Sequence, residues 1–77
     1  MPRITIYSKE NCMQCTMTKK QLKEKGIEFL EKRIDLVPEY IDEVKETGFS
    51  TVPVIIDNLT KDLWNGFRPD KLSKLNK

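Results

Sequence analysis

The chain has no histidine and only two cysteines, so it cannot by itself supply the four ligands of a tetrahedral structural zinc site. Two thiols are also too few for the framework of a disulfide-rich secreted domain. It has no Gly-, Ser- or Pro-rich tract, and 38% of its residues are hydrophobic, which excludes a disordered or low-complexity chain. No run of five like charges occurs, and the formal charge is only +2. Nucleic acid, which needs a concentrated basic surface, is therefore not an expected partner. Lys19, Lys20, Lys23 and Lys25 lie close together but at helical spacing, where they form a solvated face. No segment approaches the ~20 apolar residues of a membrane span, and Met1-Pro2-Arg3-Ile4 runs into a strand-like segment without the apolar core of a signal peptide. The cytoplasm is the expected compartment.

With 77 residues, the whole length, 1–77, is read as one domain. Arg3-Ile4-Thr5-Ile6-Tyr7 is β-branched and aromatic and predicts a first strand, ended by the polar cluster Ser8 to Asn11. Asn11 with Gln14 fits a capping box, opening a helix from Met13 to Lys25 that Gly26 stops. Ile27 to Asp35 predicts a second strand. Pro38 and Glu39 suit the first turn of a second helix, with Tyr40, Ile41 and Val44 as its apolar stripe and Gly48 as its stop. Val52 to Ile56 reads as a strand opened by a proline, Asp57-Asn58 as a turn, and Lys61 to Trp64 as a short returning strand. Pro69 starts a last helix, with Leu72 and Leu75 toward the sheet and Lys71, Lys74 and Lys77 toward water. The order βαβαββα predicts an α/β domain of thioredoxin type: a four-stranded mixed sheet flanked by three helices.

Cys12-Met13-Gln14-Cys15 concentrates the chemistry. Two thiols three positions apart at a helix start can close a small disulfide ring without rearranging the backbone. The free N–H groups and positive dipole end of the helix favour a thiolate at the first cysteine. Lys9 adds positive charge there and Glu10 opposes it. Cys12 is thus expected to be the exposed nucleophile, and Cys15, one turn further in, the shielded thiol that resolves a mixed disulfide. Met13 and Met17, at i,i+4, read as packing residues, with Met13 a candidate for a docking surface. Thr51-Val52-Pro53 opens a strand. Trp64-Asn65-Gly66-Phe67-Arg68-Pro69 places two large aromatics around a glycine; core packing and an exposed recognition patch are both open for Trp64 and Phe67.

Together, Cys12-Met13-Gln14-Cys15, Thr51-Val52-Pro53 and Trp64 to Asp70 resemble the NrdH-redoxins, and the similarity extends over essentially the whole chain. The resemblance implies a thioredoxin fold and thioredoxin-like behaviour in a glutaredoxin-like sequence. It implies electrons from NADPH by way of thioredoxin reductase, with no bound cofactor, delivered to the large subunit of a class Ib ribonucleotide reductase by a monomeric carrier. It carries the nucleophile onto Cys12, the resolving role onto Cys15, and a cis-proline onto Pro53, letting the Val52 backbone pair with an extended partner peptide. Partner contact falls on Met13, Gln14, Thr51, Val52, Pro53, Trp64, Gly66, Phe67 and Arg68. Asn65 departs from the family pattern, where serine is usual. The nearest rival, a glutathione-dependent glutaredoxin, usually shows Cys-Pro-Tyr-Cys and a Gly-Gly pair before the last helix, and neither is present. A rival of another class is a binding module in which two chains share zinc through four cysteines.

Overall fold

The computed structural model describes residues 2–75. Seven elements follow in order: β1 (Ile4–Ser8), α1 (Met13–Glu24), β2 (Phe29–Arg33), α2 (Glu39–Glu46), β3 (Val54–Asp57), β4 (Leu63–Asn65) and α3 (Pro69–Ser73). The expected βαβαββα order is observed, and the strands form one sheet in the order β2-β1-β3-β4. β1 and β2 are parallel, as a βαβ crossover requires, and β3 and β4 add antiparallel partners. Lys77, expected on the water side of the last helix, lies outside the described residues.

Strand alternation distributes the core between two faces. Ile4 and Ile6 of β1 point to one side, where they meet Ile55, Trp64, Leu22, Ile27, Leu72 and Leu75. Tyr7 and Val54 point to the other, beside Val44 of α2. Register carries the first face across the sheet, since Ile6 lies opposite Ile55 and Ile55 opposite Trp64. α1 and α3 cover that face. On α2, Val44 is buried, but Ile41 is 40% exposed and does not belong to the stripe it was expected to join. Half-buried Tyr40 packs instead, edge-on to Tyr7 with ring centroids 6.4 Å apart.

Several boundaries differ from the sequence expectation for identifiable reasons. Ser8 belongs to β1 rather than to the polar break after it: it is buried, pairs with Arg33 in register, and donates to Glu31 at 2.6 Å. β2 begins at Phe29 and not at Ile27, because Gly26 and Ile27 close α1. The Gly26 amide donates to Lys23 and the Ile27 amide to Leu22, both at 3.0 Å, with Gly26 at φ +70°. That closure needs a left-handed residue at Gly26, and it buries Ile27 beside Leu22. β4 begins only at Leu63, because Lys61 is in a left-handed turn at φ +66°. The turn is organised by Asp57, whose carboxylate accepts from the amides of Leu59 and Thr60 and from Arg3.

Candidate active site

The loop between β1 and α1 delivers the two cysteines to the end of the sheet. The expected Asn11 cap is not formed: Asn11 is left-handed at φ +59°, and Cys12 is the N-cap of α1. Its Sγ accepts from the Cys15 amide at 3.2 Å, so sulfur takes the place of the side-chain oxygen that ordinarily satisfies a free helix-start donor. Met13, Gln14 and Cys15 follow in the first turn, which carries no acidic side chain. Cys12 and Cys15 are joined by a disulfide, with Cα atoms 5.2 Å apart. Cys12 is half-buried, whereas Cys15 is only 1% exposed. The two sulfurs are thus unequal in access, and the helix dipole and the Cys15 amide both act on the outer one.

A second segment approaches from β3. The Val52–Pro53 peptide is cis, and Pro53 is buried. Val52 is half-buried against the α2-side core, and Thr51 is exposed. From β4, the Gly66 amide donates to the Pro53 carbonyl at 2.8 Å. Gly66 sits at φ +85°, a backbone conformation that favours glycine, and the Gln14 side chain lies beside it, its Oε1 3.4 Å from where a β-carbon would stand. Gln14, Gly66, Pro53 and Thr51 are therefore brought together with the dithiol helix. Met13 is 73% exposed on its first turn.

The alternative left open for Trp64 is decided in favour of core. Its indole is 3% exposed and packs in the α1/α3-side cluster, so it offers no surface patch. Its place follows from register opposite Ile55, which turns it inward. Phe67 is half-buried against the same cluster and, with Met17, Lys20, Gln21 and Glu24, lines a shallow groove along α1. Arg68 is exposed and pairs with Asp70 in a two-pronged contact at 3.1 and 2.9 Å. That pair holds the Asp70 carboxyl below its ordinary range.

Two features escaped the sequence reading. The Asp35 carboxylate, held down at about 2 chiefly by the Arg33 guanidinium, accepts from the Glu10 amide at 3.3 Å and so ties the loop before Cys12 to the end of β2. Sequence separation hides this contact. The other is Asn65, whose side-chain amide reaches back to the Thr51–Pro53 segment. Its departure from serine was the only signal.

A thioredoxin-fold sheet carrying a Cys-x-x-Cys disulfide at the start of its first helix, with a cis-proline leading into β3, defines a thiol-disulfide oxidoreductase. The glutaredoxin family model matches residues 4–58. The chain is 51% identical over 74 residues to the glutaredoxin-like protein NrdH of Lactococcus lactis subsp. cremoris, covering 94% of this chain and 97% of that one. It is 40% identical over 74 residues to NrdH of Escherichia coli K12, covering 95% of this chain and 88% of the relative. Among solved structures, the NrdH-redoxin of Escherichia coli, a glutaredoxin-like protein with a thioredoxin-like activity profile, superimposes with a TM-score of 0.88 at 37% identity, covering 97% and 96% of the two chains. The glutaredoxin of Archaeoglobus fulgidus gives a TM-score of 0.84 at 26% identity, covering 97% and 86%. The chain belongs to the glutaredoxin family, within its NrdH-redoxin group. Among the described residues no helix is long and apolar enough to cross a membrane.

Proposed function

We propose that this redoxin takes electrons from NADPH through thioredoxin reductase and passes them, as a dithiol, to the large subunit of a class Ib ribonucleotide reductase. In the donating half-reaction the Cys12 thiolate attacks one sulfur of the partner disulfide. The partner S–S bond breaks, a mixed disulfide forms, and one partner thiolate leaves. Cys15, deprotonated, then attacks Cys12 Sγ, releasing the second partner thiolate and leaving the Cys12–Cys15 disulfide. Two electrons and two protons pass to the partner.

The partner assignment rests on membership of the NrdH-redoxin group, and the order of attack on the unequal exposure of the two cysteines: partly exposed Cys12 caps the helix while Cys15 is 1% exposed. An incoming disulfide reaches Cys12 first. Exposed Met13 and Gln14 follow it in the first turn, with Gly66 beside Gln14, and the Val52 backbone offers an edge to an extended partner segment, since among the described residues none hydrogen-bonds its amide or carbonyl. The preference for a protein reductant over glutathione rests on the missing Cys-Pro-Tyr-Cys and Gly-Gly features, and on Arg68, whose guanidinium is already shared with Asp70.

The deciding assay follows NADPH consumption with the oxidised protein and a disulfide target, once with thioredoxin reductase and once with glutathione plus glutathione reductase at matched concentrations. Faster turnover through thioredoxin reductase is expected. Faster turnover through glutathione overturns the assignment in favour of a glutathione-dependent glutaredoxin.

A further inference from the structure

Asn65 ends β4 directly across the ladder from Val54, and its side chain continues past the end of the ladder. Nδ2 donates to the Thr51 carbonyl at 2.8 Å and to the Pro53 carbonyl at 3.1 Å, while Oδ1 faces the Thr51 hydroxyl at 3.4 Å. Both of its short contacts are to carbonyl oxygens, so the amide orientation is set by chemistry: turned over, it would press oxygen against two oxygens. The Pro53 carbonyl also receives the Gly66 amide. One side chain therefore grips the residues on both sides of Val52, using both hydrogens of a single NH2 group. Serine, usual here in the family, has one hydroxyl hydrogen and can donate to only one of the two carbonyls.

We infer that Asn65 is a positioning residue that fixes the Val52 edge for partner binding. The inference rests on the proposed pairing of that edge with an extended partner segment. The two gripped carbonyls point toward β4, leaving the Val52 amide and carbonyl without partners among the described residues. A segment held at both ends before the partner arrives loses less freedom when the partner docks, and affinity rises accordingly. A small disulfide does not use this edge. Asn65 therefore acts on KM for protein disulfides and not on the chemistry at Cys12.

The test compares Asn65→Ser, which restores the family residue, and Asn65→Asp, which is isosteric but has no donor, in the full chain. Disulfide-bonded insulin serves as protein substrate and dithiobis(nitrobenzoate) as small disulfide. The expected result is a rise of roughly threefold to tenfold in KM for insulin, larger for Asp than for Ser, with kcat and the small-disulfide rate retained. An unchanged KM in both variants overturns the inference, as does a parallel loss with both substrates, which marks a merely structural residue. Hydrogen exchange at the Val52 amide, read in the mixed disulfide of Cys15→Ser protein with an insulin-derived peptide, separates the two layers. Protection with Asn65 present and weaker protection in Asn65→Asp supports both. Equal protection in the two, with equal KM, refutes the role of Asn65 alone. Absence of protection even with Asn65 present refutes the edge-pairing reading and the inference with it.

Discussion

Replacing Trp64 by alanine should unfold the protein before it impairs docking. The indole is 3% exposed, in a cluster with Ile4, Ile6, Leu22, Ile55 and Leu72. Truncating a buried Trp costs about 3–5 kcal/mol, combining lost transfer energy with the cavity left behind. For a domain of this size each kcal/mol shifts Tm by roughly 4–8 °C, so Trp64→Ala should melt at least about 12 °C lower. Trp64→Phe distinguishes packing from polar chemistry. The indole Nε1 is buried with no acceptor among the described residues, and such a donor costs about 1–3 kcal/mol. Phenylalanine removes it and leaves a smaller cavity, two effects of opposite sign, so the net change should stay within about 1.5 kcal/mol. The ring also lies under Lys71 Nζ at 5.8 Å, a contact phenylalanine partly retains. Thermal unfolding by circular dichroism, beside turnover of a protein disulfide and a small disulfide, makes the measurement. Losses in Trp64→Ala should be equal for both substrates and follow the folded fraction. A Tm within a few degrees of the parent, with loss confined to the protein substrate, would refute the core assignment and restore Trp64 to the docking surface.

Two further outcomes concern the end of β3 remote from the site and the glycine after β4. Asp57 is buried and gripped by Arg3 at 2.7 and 2.8 Å, which is the main cause of its carboxyl titrating well below the ordinary 3.8. Its stabilisation is therefore present above the ordinary value and is lost as pH falls below about 4 toward the folded value. Asp57→Asn should cost about 1.5–3 kcal/mol at pH 7, with the gap to wild type closing in acid; urea titrations at pH 7 and pH 3 check this, and an equal gap at both pH values contradicts it. Gly66→Ala forces a side chain into φ +85° and against Gln14 Oε1 at 3.4 Å. A loss of about 1–2 kcal/mol is expected from the backbone strain, the 3.4 Å approach being an ordinary contact, read by denaturant midpoint; an unchanged midpoint rules it out.

The order of elements was legible because its signals are local. Gly26 closes α1 as its position implied, and Leu72 and Leu75 turn inward at helical spacing. The dithiol was legible for the same reason, since ring closure depends on spacing and on the helix start alone. What failed depends on contacts distant in sequence or on competition between neighbours. Asn11 is a good cap by residue type, yet the Cys12 sulfur takes the free amide and Asn11 is left to make the turn. Trp64 could not be placed because a strand of three residues carries too little alternation to show a face; the Ile55 register decides it. The role of Asn65 stayed hidden because its partners lie 12 and 14 positions away.

Trapping decides whether Cys12 attacks and Cys15 resolves. Cys12→Ser and Cys15→Ser proteins, reduced and mixed with a disulfide target, are resolved by non-reducing mass spectrometry. A mixed disulfide through Cys12 is expected in the Cys15→Ser protein, stable because the resolving thiol is gone, and no adduct in the Cys12→Ser protein, where the remaining cysteine is only 1% exposed. An adduct through Cys15 in the Cys12→Ser protein, with none in Cys15→Ser, would contradict it.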